Sequence, residues 1–247
     1  MQHRKAFPAM ALALGAGLAA ATMLAPGRAG AVVIYDNGGP SVLNVVSDQD
    51  DLGNVPGVDL PIILSDDFAL DVDSELQDVH WWGSYALDVA LELPEDDFRL
   101  QLFADVGGAP EINPFYSVGL GEVGRVDTGD TDAAGNPIYE YWVDLADPIT
   151  LSAGVTYHLS IANDTSESIA TWLWAASTET ERFGYHLRAG DDMLWLPQMV
   201  PPNLAFNLTG EPLNGGAPIP EPATVSLLGL GVAGLVARYR GKPNRRS

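Results

Sequence analysis

The sequence predicts an all-β protein: an antiparallel β-sandwich of jelly-roll type, with an all-β barrel as the alternative. A signal helix at the N-terminus and a short apolar helix at the C-terminus flank it. Three observations lead there. Turn signals recur at short intervals, as "DNGGP" at 36–40, "GNVPG" at 53–57, "GGAP" at 107–110 and "AGNP" at 134–137. Between them lie short runs of period two. No stretch between the two ends carries an apolar stripe at helical spacing, so strands separated by Gly and Pro turns are the consistent solution.

The first element is a leader. His3, Arg4 and Lys5 precede an uncharged run from Ala6 to Gly27, and Ala29-Gly30-Ala31 supplies a small-x-small cleavage site. A basic region, an apolar region and small residues in that order predict a signal peptide over 1–31, removed by signal peptidase so that the mature chain begins near Val32. The body follows at 32–212. In "DFRLQLFAD", Phe98, Leu100 and Leu102 alternate with Arg99, Gln101 and Phe103; in "VTYHLSIAN", Val155, Tyr157, Leu159 and Ile161 alternate with Thr156, His158 and Ser160. Such alternation turns one side inward and the other outward, as a half-buried antiparallel strand does. Further strands are expected at "VVIYD", "SVLNVVS", "DFALD", "LQDVHWWGSYA", "IYEYWVDL", "SIATWLWAAST", "FGYHLRA" and "NLAFNLTG". Residues 213–219 form a Gly/Pro/Asn linker, and 220–247 form a separate tail.

That tail begins Pro220-Glu221-Pro222, continues through fifteen uncharged residues from Ala223 to Ala237, and ends with Arg238, Arg240, Lys242, Arg245 and Arg246. A helix rising about 1.5 Å per residue would cover about 22 Å of a hydrocarbon core near 30 Å, which is short for a permanent span. The basic end is retained on the cytoplasmic side. This order of features resembles the PEP-CTERM sorting signal of exported bacterial proteins, a segment also labelled an ice-binding-protein C-terminal domain, which names no activity. The resemblance implies that an exosortase, a membrane protease-transpeptidase, recognises the Pro-Glu-Pro element and cleaves near it. The chain would then be anchored transiently in the inner membrane by its C-terminal helix and afterwards reside at the cell surface or in the extracellular matrix. Pro220, Glu221, Pro222, Arg238 and Arg240 are the residues that carry this processing. The basic residues are more spread out than in the usual cluster.

Charge narrows the function classes. The chain holds 12 Lys and Arg against 33 Asp and Glu. Three of the basic residues lie in the leader and five in the tail, so the body keeps only Arg99, Arg125, Arg182 and Arg188, with no lysine. Nucleic-acid binding, which rests on neutralising phosphates with Lys and Arg, is excluded. The absence of cysteine removes disulfides, thiolate metal sites and a cysteine nucleophile.

No enzyme chemistry is legible. His80, His158 and His186 are far apart in sequence, and no Gly-x-Ser-x-Gly, phosphate-binding glycine loop or His-Glu-x-x-His occurs. A non-enzymatic protein is expected. No cofactor is called for, although Ca²⁺ has one place to go: "DTGDTDAAGNPIYE" sets Asp130 and Asp132 two apart with Gly135 after them, as in an EF-hand loop, while Ala134 and Tyr141 occupy positions where ligands belong. The acidic groups around Asp48, Asp66, Asp71 and Glu95 are otherwise solvated loops. For ligand binding, Trp172 and Trp174 share one side of a strand and could stack on sugars, although core packing suits them better.

A second resemblance is narrower. "VHWWGSYALDVALELPEDDFRLQLFADVGGAP" is similar to a segment of uncharacterised PEP-CTERM secreted β-sandwich proteins, which implies the fold and no activity. The expected function is a structural or adhesive role at the cell surface or in the exopolysaccharide matrix, where extracellular polysaccharide is the partner. The alternative is a carbohydrate-binding module, Ca-dependent if the acidic loop holds metal. A hydrolase trails both.

Overall fold

A computed structural model describes residues 31–49, 61–86, 95–121, 123–166, 168, 170–179, 184–198 and 203–213. All of them belong to one compact unit that begins at Ala31. The leader with Ala29, the linker beyond Leu213, Pro220, Glu221, Pro222, Arg238 and Arg240 lie outside the described residues, as do both flanking helices.

Among the described residues the structure is built of strands alone: β1 (Val32–Asp36), β2 (Pro40–Val46), β3 (Ile63–Ala69), β4 (Ser74–Ala86), β5 (Phe98–Ala104), β6 (Tyr116–Gly121), β7 (Gly124–Thr131), β8 (Pro137–Leu151), β9 (Thr156–Asn163), β10 (Thr171–Ser177), β11 (Tyr185–Arg188), β12 (Leu196–Gln198) and β13 (Phe206–Pro212). Two sheets result. In the first, β1 lies beside β13 and β2 beside β10; β13 and β10 share one edge of β4, and β8 and β7 follow on its other edge. In the second the order is β12-β11-β3-β9-β5-β6. Every named pair is antiparallel. With β1/β2 and β10/β13 each taken as one interrupted strand, the two orders are those of a jelly roll, with β7 added beside β8 at one edge and β11 and β12 at another.

The long strand β4 shows why the chain folds this way. Leu76, Val79, Trp81 and Tyr85 are buried toward the second sheet, while His80 and Trp82 stand on the other side. Opposite them Phe98, Leu100, Leu102, Leu159 and Ile161 project from β5 and β9, as the alternation in their sequences predicts. Burying these large side chains is the main favourable term in the fold, at roughly 1.5–3 kcal/mol each. Phe98 sits at the junction, 5.2 Å from Trp81, 5.0 Å from Tyr141 and 5.0 Å from Trp172 between ring centres.

Buried carboxylates stitch the edges of this core. Asp48 accepts hydrogen bonds from Trp172 N at 2.7 Å and Thr165 Oγ1 at 2.7 Å. Asp66 accepts from Leu204 N, Asn37 Nδ2 and Asp67 N. Asp96 receives Tyr85 OH and Arg125 NH1. Each holds a loop against a strand where backbone pairing ends.

Candidate functional site

Trp172 and Trp174 lie on the inner side of β10, both with no solvent exposure. Because β10 runs between β4 and β2, its inner aromatics meet the opposite sheet and not the solvent. Trp172 packs edge-on against Phe98, and Trp174 Nε1 donates to Ala205 O at 3.0 Å. A Cβ at Gly83 would lie 2.7 Å from the Trp172 ring and 2.6 Å from Leu173 O, so this glycine makes room for the indole. The sugar-stacking expectation for these two residues is thereby corrected: they are core.

The calcium expectation is corrected as well. Asp132 closes the β7–β8 hairpin as an acceptor. Its Oδ1 takes Ala134 N at 2.9 Å and Asn136 N at 2.8 Å; its Oδ2 takes Asn136 Nδ2 at 2.9 Å, Ser84 Oγ at 3.0 Å and Asn44 Nδ2 at 3.3 Å. Five donors fill the roughly four lone-pair positions of a carboxylate. Burial opposes its ionisation, yet these donors hold its carboxyl below the usual range. Asp130 is exposed, and among the described residues no three His, Asp or Glu side chains are grouped to hold a metal. Calcium and magnesium are therefore expected to raise the melting temperature of the purified protein equally, through screening of its negative charge. A rise specific to calcium would return the loop to metal binding.

Once the hairpin tip is in place, with Ala133 N donating to Val42 O at 2.8 Å, it folds toward β2 across the outer side of the first sheet. Trp82, Ile138, Ala175 and Ala205 form a buried cluster on that side. Farther along the same sheet the outer side carries a different set. In register across five strands stand Asp36, Asn207, His80, Trp142 and Gly124. His80 Nδ1 is 2.8 Å from Glu140 Oε1, and its Nε2 is 2.9 Å from Asp78 Oδ2, which also accepts from Thr209 Oγ1. Each ring nitrogen thus faces a carboxylate oxygen, which fixes the orientation of the imidazole. The Trp142 ring is roughly parallel to His80, at 24° and 6.3 Å. It lies over Gly124, where a Cβ would fall 2.1 Å from its Cε2. Trp142 stays partly exposed, flanked along β8 by Glu140 and the exposed Asp144.

A second polar cluster occupies the outer side of the other sheet. His158 Nε2 is 3.0 Å from Asp105 Oδ1, and its ring meets that of His186 edge-on at 5.3 Å. Burial opposes ionisation of Asp105, but the hydrogen bonds from His158 and Gly108 N keep its carboxyl below the ordinary range. Burial, then the neighbouring His158, lowers the basicity of His186. Arg188 lies beside them with its guanidinium 4.5 Å from the Trp195 ring and 2.7 Å from Asp191 Oδ1. Both histidines and Ser65 are buried, which closes this cluster to a substrate as it stands. Its contacts pin the segments after β5 and β11 onto the sheet.

A family model described as a domain of unknown function, DUF7901, matches residues 43–209, from within β2 to within β13, and so covers most of the sandwich. The chain belongs to the DUF7901 family. A second model, the PEP-CTERM protein-sorting motif, matches residues 218–241. It marks this DUF7901 chain as an exported protein whose C-terminal signal is handled by an exosortase at the membrane. No curated protein and no solved structure matches the chain.

Sequence reasoning passed over Trp142 although its signal was present. Glu140, Trp142 and Asp144 occupy alternate positions of one strand, which places an indole between two carboxylates on a single side.

Proposed function

We propose that this DUF7901 chain is a non-catalytic structural or adhesive protein of the cell surface or exopolysaccharide matrix. The observation that carries this reading is the sorting motif joined to a sandwich whose best-developed polar groups are used internally. Asp48, Asp66, Asp96 and Asp132 each receive several hydrogen bonds that fix a loop or strand end. His158 and His186 are enclosed, and Ser65 beside them is buried as well. The outer side of the first sheet around Trp142 offers polar and aromatic groups to the surroundings, and this favours carbohydrate binding as a second reading.

Mass spectrometry of the cell-surface fraction tests the proposal. The surface form is expected to begin near Val32 and to end near Glu221, and Glu221→Ala is expected to leave the apolar tail attached and the protein in the inner membrane. Native protein recovered from cytosol with Met1 and Ser247 both present would sink the matrix role together with the processing.

A further inference from the structure

We propose that the outer side of the first sheet, centred on Trp142, binds an extracellular polysaccharide bearing free amino groups. The inference deepens the adhesive reading and rests on it. The indole supplies a flat apolar surface for a sugar ring, and the carboxylates around it accept ammonium groups.

The placement of the indole comes first. A side chain that must stack needs one side free and its orientation fixed. Gly124 lets the ring lie directly on β7, and His80 holds its flank from β4. Asp78 and Glu140 clamp His80 from both nitrogens, so the support is itself fixed. The row Asp36–Asn207–His80–Trp142–Gly124 crosses five strands, and at about 4.8 Å per strand it runs about 19 Å, long enough for an extended chain and not only a single ring. Pairing irregularities adjoin it: β4 shifts register between Leu76 and Asp78 against β8, and β13 shifts between Thr209 and Gly210. Bulges of this kind re-aim side chains beside functional surfaces.

Charge selects the occupant. Asp36 and Asp144 are exposed on this side, and Glu140 is half-buried. The described arginines are committed elsewhere: Arg99 and Arg188 to Asp191, Arg125 to Asp96. No Lys or Arg stands among the described residues of this row, and two carboxylates face its one histidine, His80. A uronic-acid polymer would meet repulsion here, whereas a cationic amino sugar would gain at each ring.

Co-sedimentation of the full chain in detergent with three insoluble polymers tests this: chitosan, its N-acetylated counterpart chitin, and calcium-free cross-linked alginate. Retention is expected on chitosan, weakened by salt, with little on chitin and none on alginate. Trp142→Ala, which leaves the net charge unchanged, should weaken retention about tenfold. Asp144→Asn, at an exposed position that bears on no packing, should weaken it by a smaller factor. Equal retention of Trp142→Ala and the parent would mean attraction by bulk charge and would overturn the site. Equal binding to chitin and chitosan would overturn the ammonium assignment, and no binding to any polymer would overturn the proposal entirely. None of these failures would move the protein out of the surface fraction, so the adhesive reading stands or falls separately on its own localisation.

Discussion

Trp172→Ala is expected to destabilise the domain by about 3–5 kcal/mol, the range for removing a fully buried large aromatic, and to lower the melting temperature by about 10 °C. The indole has no solvent exposure and contacts Phe98, Tyr141 and Trp174, so its loss opens a cavity where both sheets meet. Close packing on all sides leaves little room for collapse into the void. Its backbone N–H also donates to the buried Asp48, which ties the strand to the turn after β2; the alanine variant keeps that bond, so the measured loss reports packing. Trp142→Ala gives the opposite profile: a partly exposed ring on the outside should cost about 1 kcal/mol or less while weakening polysaccharide retention about tenfold. Urea denaturation of both variants separates the two classes of tryptophan. A small effect at Trp172 would mean that this aromatic does not join the sheets.

How far the sequence reaches can be followed residue by residue. Period-two alternation located β5 and β9 and turned Phe98, Leu100, Leu102, Leu159 and Ile161 inward, but the half-buried expectation is corrected: Gln101, Phe103, His158 and Ser160 on the other side are buried too, and Val155 is exposed. The central β4 and β10 were legible from their aromatic-rich strand sequences. β7 was not foreseen: "GRVDTGDT" has two glycines and two aspartates, poor strand formers, and its pairing is enforced by β8 across the hairpin. β6 and β12 lie at sheet edges, where burial is partial and the pattern fades.

For the site, the limit was depth. Trp172 and Trp142 both occur in aromatic strand sequences, and only the position of the strand within its sheet, together with the side it turns to the core, tells an anchor from a platform. The acidic loop failed for a related reason. Spacing brought Asp130 and Asp132 near one another, but the turn spent the oxygens of Asp132 on its own backbone, an outcome common for Asp in tight turns. Asn44 and Ser84, from distant parts of the sequence, complete that shell, and no local motif announces them.

Asp66 is expected to make the fold less stable as the pH rises from about 4 to above 7. Burial, the largest influence, pushes its carboxyl up from 3.8 to about 7, against the lowering effect of the bond from Leu204 N. A carboxyl whose folded value lies above its unfolded value contributes stability fully below the unfolded value and loses that contribution as the pH passes the folded one. The window is therefore 3.8 to about 7, with the change on the order of a few kcal/mol. Asp66→Asn removes the titration. Its amide oxygen can still accept from Leu204 N and Asn37 Nδ2, while its NH₂ would face the Asp67 N–H donor, so the variant should be about 1–2 kcal/mol weaker at pH 4.5. Raising the pH to 8 should erase or reverse that deficit, because only the parent then buries a charge. The other carboxylates also repel one another less in acid, but this background is common to both proteins and cancels in the difference. His186 adds an opposite dependence: its basicity is lowered in the fold, so its contribution is present above 6.5 and declines as the pH falls below that value. Melting curves of the two proteins from pH 4 to 8 provide the measurement, and a constant difference across the range would mean that Asp66 is ionised throughout and that its three donors outweigh its burial.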